Sequence, residues 1–431
     1  MTSPSGLPAM SERPRVATID ATWLMPGRHS VLPVLLQHGA EVLGRPLASP
    51  GEAALWLEHC DGGGVVHVRV EGAWWETLQR WLQHDGFART LGTKGVLLID
   101  SCTEAGPFNE ERLQEMHRAL APHVPPVRVV LLFQNEYFAP QSRSRMEGDA
   151  STGGMRPVLF HYWLARTLQH VQRIPLGAHL ENQSADQPGM AYRFLCLNRA
   201  LRPHRAAVVG RLARCGMLPQ SLVSLGSATG FLPEHPSGRR SREELFADAR
   251  RAMPCCADDI LAAAAVQLPP KLEGAFAGTA AGRRGIGGAD TLLPGAHAAA
   301  AMSIVTETEM TNHVRRFTEK TLKPLAMGHP FVVAGNWRTL ELLHSYGFRT
   351  FSPFVNEAYD TIRDDSERLL AVLEEIGRLG RMGDEEFRAG IRAMAPVVRH
   401  NALHMRGGMR VISAAQVREM LRALGLAAGG R

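Results

Sequence analysis

The stretch "YRFLCLNRALRPHRAAVVGRLARCGMLPQSLVSLG", Tyr192–Gly226, decides the fold. It opens and closes on short apolar runs, "YRFLCLN" and "SLVSLG", with "RPHRAAVVGRLARCGML" between them at helical spacing. Strands that are apolar without alternation are buried on both faces, and a parallel sheet with helices on each side supplies that burial. The same alternation spreads in both directions. Towards the N-terminus, "VVHVRV" (Val65–Val70), "GVLLID" (Gly95–Asp100) and "VRVVLLF" (Val127–Phe133) read as strands separated by helical segments such as "WWETLQRWLQHD". Towards the C-terminus come strand "MSIVTE", helix "TEKTLKPLAMG", strand "PFVVAG", helix "WRTLELLHSYG", strand "RTFSPF" and the helix "YDTIRDDSERLLAVLEEIGRLGRM".

Residues 171–190 are polar and turn-rich and read as a linker between two α/β halves. The expected division is a tail at 1–14, a first domain at 15–180, a second at 181–375, and helices over 376–431 that return to the first. The low-complexity run from Leu268 to Ala301 reads as an excursion. At 431 residues the chain is long enough for two cores, and 45% hydrophobic with 21% charged residues excludes wholesale disorder. No eighteen-residue apolar run and no basic-then-apolar start occur, so a cytoplasmic protein without a membrane span is expected. The six cysteines lack C-x-x-C spacing and are expected to be reduced. A net charge of +6 permits anionic partners without singling out nucleic acid.

In open parallel sheets, ligands bind beyond the carboxyl ends of the strands. Asp100 ends one strand and leads into "SCTEAGP", which brings Glu104 to that rim, and "VVLLF" leads into "QNEYF", which brings Asn135 and Glu136. "YRFLCLN" ends at Asn198, and "MSIVTE" ends near Glu307. From Arg199 to Arg214 there are five arginines and no acid. Pro203 marks a first helical turn, so Arg202, His204 and Arg205 surround a helix N-terminus suited to an anion. Arg211 and Arg214, farther along, read as a solvated face. Thr318 reads as an N-cap with Glu319 and Lys320 in the first turn, and Pro324 should keep that helix short.

The blocks "SIVTETEM…RFTEKTLKPLAMGHPFVVAG" and "FLCLNRALRPHRAAVVGRLARCGML" together resemble the donor-site elements of the α1,3-fucosyltransferases. They are closer still to the fucosyltransferase-related glycosyltransferases of phage and bacterial genomes. The resemblance covers about residues 190–375. It implies a GT-B fold, two Rossmann-like domains facing across a cleft with C-terminal helices, and inversion at the anomeric carbon. By resemblance, Asn198, Arg199, Arg202, Arg205, Glu307, Thr318, Glu319 and Lys320 line the nucleotide-sugar site. Arg205 (or Arg202) and Lys320 would neutralise the diphosphate, Glu319 would accept from ribose hydroxyls, and Glu307 would lie near the sugar. The implied catalytic carboxylate is Glu104 in "TEAGP", where the spacer departs from the family pattern, with Glu136 as competitor.

Glycosyl transfer needs a base for the acceptor proton and stabilisation of the departing diphosphate. A metal can serve the second need, but no D-x-D occurs, and Asp258–Asp259 and Asp364–Asp365 read as solvated helix caps or faces. No metal and no cofactor is expected, therefore, beyond a nucleotide sugar as co-substrate, with a GDP-fucose-like donor favoured. The acceptor is a glycan, a peptide, a small molecule or a modified nucleic acid, including hydroxymethylated DNA bases. His400 and His404 have metal-pair spacing without an evident third ligand, and Trp74, Trp75 and Trp81 read as core. Two other classes remain open: an inactive nucleotide- or glycan-binding protein of the same fold, and another enzyme of phosphorylated substrates such as a sugar-nucleotide epimerase.

Overall fold

The computed structural model describes residues 15–20, 30–61, 63–70, 73–102, 110–137, 154–172, 191–226, 241–268 and 292–425. The chain divides into two compact units, residues 1–165 with 411–431, and residues 166–410.

The first unit holds six parallel strands: β1 (Arg15–Thr18), β2 (Glu41–Val42), β3 (Gly64–Arg69), β4 (Gly95–Ser101), β5 (Val129–Phe133) and β6 (Arg156–Leu159), in the order β2-β1-β3-β4-β5-β6. Successive side chains point to opposite faces, and both faces are covered. Val66, Val68, Leu97, Ile99, Leu131 and Phe133 join one core cluster. Val65, Leu98, Val130 and Leu132, on the other face, are equally buried. The helices Ala73–Leu82 and Asp85–Lys94 contribute Trp75, Leu78, Phe87 and Leu91 to that cluster, with Trp74 and Trp81 packed against it, so the tryptophans are core.

In the second unit the parallel strands are β7 (Tyr192–Asn198), β8 (Ser221–Leu225), β9 (Ala300–Thr306) and β10 (Phe331–Ala334), in the order β10-β9-β7-β8. The chain leaves β7 through the helix Pro203–Arg214 to β8, then returns to β9 on the far side of β7. That reversal opens a crevice beyond the ends of β7 and β9, the place where such sheets bind ligands. Strand β9 continues through the helix Glu319–Ala326 to β10. Eight residues long with Pro324 inside, that helix is as short as its proline predicts.

Three expectations are corrected. "RTFSPF" forms no strand: Pro353 has no N–H to give a ladder, and the Glu357 carboxylate takes the Phe351 N–H at 2.6 Å and the Thr350 hydroxyl at 2.7 Å. The helix expected from Tyr359 begins only at Asp365, because Asp364 caps it by accepting from the Ser366 and Glu367 N–H groups. Asp259 is no solvated cap but a buried carboxylate, bonded to Arg211 at 2.9 Å and Arg214 at 3.0 Å, so these arginines pin the helix Pro203–Arg214 to the helix Ala257–Ala265. The expected base Glu104, most of the linker and most of the low-complexity excursion lie outside the described residues.

Candidate functional site

Asn198, at the end of β7, is buried; its amide oxygen accepts from the Thr306 hydroxyl at the end of neighbouring β9. The next residue of that chain, Glu307, organises the crevice through both its carbonyl and its carboxylate. Its carbonyl accepts from Arg205 Nη2 at 3.0 Å and from His204 Nε2 at 2.9 Å. Its carboxylate accepts from the Thr308 N–H at 3.2 Å, the Thr318 N–H at 3.1 Å, the Thr318 hydroxyl at 2.6 Å and the Thr321 hydroxyl. One residue thereby holds the first turns of two helices to a single strand end.

Those two helices begin with cations. Arg202 is the N-cap residue of Pro203–Arg214 in extended backbone, and Pro203 follows at the first helical position. Among the described residues, the guanidinium groups of Arg199, exposed, and Arg202, half-buried, make no hydrogen bond. Arg205 is buried, anchored through Nη1 to the Ala200 carbonyl at 3.1 Å, and its Nε has no partner among the described residues. Burial, and then the charge of Arg202, push Arg205 down to about 10, so it stays a cation at neutral pH. Burial and Arg205 push His204 down to about 3, so it donates to Glu307 as a neutral ring.

On the second helix, Thr318 is the N-cap, its hydroxyl accepting from the Lys320 N–H at 3.3 Å. Lys320 Nζ reaches the Thr308 hydroxyl at 2.9 Å and Glu319 Oε1 at 2.6 Å, while its side chain stays 24% exposed. Glu319 is buried, and its Oε2 has no partner among the described residues. Burial pushes the Glu319 carboxyl up, but Lys320 and Lys323 outweigh it and hold the group below its ordinary value, hence ionised. An unbonded buried carboxylate oxygen is costly, and it is an acceptor awaiting a donor such as a sugar hydroxyl.

The loop between these ends, "MTNHVRR", is tied down by its charges: Arg316 is buried in a bidentate pair with Glu309, Nε to Oε2 at 3.2 Å. Arg315 pairs with Glu341 at 3.1 Å. The Thr311 N–H donates to Asn336 Oδ1 at 3.1 Å and its carbonyl accepts from the Trp337 N–H at 3.0 Å, which fastens the loop to the end of β10. Glu309 and Arg316 are seven apart in an aperiodic loop, and no spacing rule announces such a pair.

In the first unit, the strand ends fall into two groups. At the β1/β3 reversal, Thr18, His67 and Asp100 form a closed buried chain: Thr18 Oγ1 to His67 Nδ1 at 3.0 Å and His67 Nε2 to Asp100 at 3.3 Å. Burial pushes Asp100 up, but the His67 hydrogen bond and charge outweigh it and hold the carboxyl below its ordinary value. Asp100 also accepts from the Val31 N–H at 3.2 Å and the Cys102 N–H at 3.1 Å, and so is spent on fastening loops. Beyond β5, the second expected base, Glu136, lies 2.8 Å from His161 Nε2, a residue the sequence did not single out.

Among the described residues no three metal-ligating side chains cluster, and no helix is long and apolar enough to cross a membrane. His400 and His404 stack on each other and donate to the Gly347 and Tyr346 carbonyls at 3.0 and 2.7 Å.

No family model and no curated protein matches this chain. Among solved structures it is similar to a UDP-forming α,α-trehalose-phosphate synthase from Burkholderia xenovorans, with 14% identity and a TM-score of 0.40, over 86% of this chain and 77% of that one. It is also similar to an α,α-trehalose 6-phosphate synthase from Burkholderia multivorans, with 11% identity and a TM-score of 0.36, over 96% and 98%. Both likenesses are distant, and the reading of the site rests on its own geometry.

Proposed function

We propose that this chain is a metal-independent, inverting glycosyltransferase that moves a sugar from a nucleoside-diphosphate donor, of the GDP-fucose kind, to a hydroxyl acceptor. One observation carries the reading: Arg202, Arg205 and Lys320 converge with two helix N-termini beyond the β7 and β9 ends. Fixed cations and helix N–H groups stabilise the negative charge that grows on a departing diphosphate. Glu319, ionised with one bare oxygen, suits the ribose hydroxyls of the same ligand. Glu307, its carboxylate spent on four protein donors, serves by holding the cations in place. The second unit then binds the donor and the first supplies the base, Glu136 or Glu104, and the acceptor contacts. The expected setting is the cytoplasm, with a glycan, peptide, small molecule or modified nucleic acid as acceptor.

Isothermal titration with GDP, UDP, ADP, TDP and CDP in a chelator tests this. At least one should bind, and Lys320→Ala and Arg205→Ala should each weaken it about 10- to 100-fold, the worth of a charge-assisted hydrogen bond. If no nucleoside diphosphate binds, the reading falls.

A further inference from the structure

Two of the six cysteines, Cys255 and Cys256, adjoin in the short turn Pro254–Cys256 that leads into the helix Ala257–Ala265. Successive side chains on a helical turn point about 100° apart. These two sulfurs nevertheless lie 3.6 Å from each other, in van der Waals contact. Cys255 is exposed, whereas Cys256 is 2% exposed. Burial pushes the Cys256 thiol up to about 12, so it is held neutral. The turn thus presents an accessible sulfur with a shielded one directly behind it. The helix that follows is tightly packed. Cys256 is its N-cap residue, and Asp259 in its first turn bonds Arg211 at 2.9 Å and Arg214 at 3.0 Å. The Asp259 carbonyl oxygen approaches Gly210 so closely that a Cβ there would lie 1.6 Å from it. A shift of this first turn is therefore passed to the helix Pro203–Arg214, which begins at Arg202 and carries Arg205.

We propose that Cys255 and Cys256 are a reversible thiol-modification site, which a small disulfide such as oxidised glutathione closes into a disulfide that loosens the contact between these two helices. In the first step the deprotonated Cys255 sulfur attacks one sulfur of the small disulfide. That S–S bond breaks, and one thiolate leaves with the electron pair and takes up a proton. Cys256 then gives its proton to water, and its sulfur attacks Cys255 Sγ and expels the second small thiol. Two cysteine thiols are oxidised, and one small disulfide is reduced to two thiols. Contact at 3.6 Å makes the second step intramolecular, which offsets the low thiolate fraction of Cys256. The bond formed is labile by construction. Adjacent Cα atoms are about 3.8 Å apart, short of the roughly 4.4–6.8 Å that a disulfide prefers, and strained disulfides are the readily reduced ones. It closes no loop that would restrict the unfolded chain, so it adds strain without the usual stabilisation. Bringing the sulfurs from 3.6 Å to about 2.05 Å displaces Cys256, and with it the turn that carries Asp259.

Treatment of the full-length protein with oxidised glutathione tests this. Mass spectrometry reads the tryptic peptide Ala252–Lys271, which holds Cys255 and Cys256 and no other cysteine. The peptide should lose the mass of two hydrogens and regain it with dithiothreitol. The oxidised protein should melt about 2–4 °C lower, the scale of one modest packing defect in a unit of this size, and dithiothreitol should restore it. Cys255→Ser should fold with an unchanged melting temperature and show neither the mass loss nor the shift. A lasting glutathione adduct on Cys255 with Cys256 still free would overturn the proposal. So would a disulfide that forms and leaves the melting temperature where it was. Where a nucleoside diphosphate binds, oxidation should also weaken it about fivefold or more; mass and melting decide the proposal whether or not one does.

Discussion

Glu307 is acidic yet buried, and every acceptor site that the structure assigns to it faces a protein donor. Its carboxylate receives two backbone N–H groups and two hydroxyls, and its carbonyl receives a guanidinium and an imidazole. Glu307→Gln would put an NH₂ where one oxygen accepts, so at least one donor would face another. Hydrogen bonds to charged groups are worth about 1.5–3 kcal/mol each; urea unfolding should therefore show a loss of about 2–4 kcal/mol. Nucleotide affinity should fall with it, because Thr318, the cap on which the Lys320 N–H sits, loses its anchor. A variant with unchanged stability would show that the carboxylate is not the organiser described here. That Glu307 stands at a strand end was legible from "MSIVTE"; that its carboxylate is spent on Thr318 and Thr321 was not, since the contact crosses an aperiodic loop.

Strands β3, β4, β5 and β7 to β10 were legible because they are buried on both faces and largely apolar; the short, partly exposed β2 and β6, and β1, were not singled out, and "RTFSPF" misled. The helix starting after Thr318 was announced by its cap. Pairing between helices was not legible. Gly210 sits where the helix Pro203–Arg214 meets the helix Ala257–Ala265, and a Cβ there would lie 1.6 Å from the Asp259 carbonyl oxygen. Nothing in "VVGRLAR" tells a glycine kept for close approach from one that is merely tolerated. Asp259 likewise read as a surface acid because its partners, Arg211 and Arg214, are 48 and 45 residues away. Gly210→Ala is expected to cost more than overpacking usually does, about 3 kcal/mol or more, even though alanine favours a helix by about 1 kcal/mol. Chemical denaturation would measure it, and a neutral or stabilising result would mean that the two helices separate at no cost. Because this helix also carries Arg202 and Arg205, the nucleotide affinity of the alanine variant should fall as well.

For the molecule as a whole, two buried histidines of the second unit tie stability to pH. His204 is pushed down to about 3 by burial and Arg205, and His329 to about 4 by burial, against an ordinary value of 6.5. His329 uses both ring nitrogens inside the protein, Nδ1 with the Ser303 hydroxyl at 2.7 Å and Nε2 with the Ala300 carbonyl at 2.7 Å. Below pH 6.5 the unfolded chain takes up protons that the native rings refuse, so stability is fully present above that value and falls as the pH drops. Each histidine costs up to about 1.4 kcal/mol per pH unit, down to its own folded value. Glu319, held below its ordinary carboxylate value, adds a further loss only in stronger acid. Urea unfolding followed by circular dichroism at pH 7.5, 6 and 5 should show stability declining across that window, with two transitions wherever the two compact units separate. His329→Gln should flatten the decline by about half, whatever it costs at pH 7.5. Stability independent of pH between 7 and 5 would mean that both rings can be protonated in place.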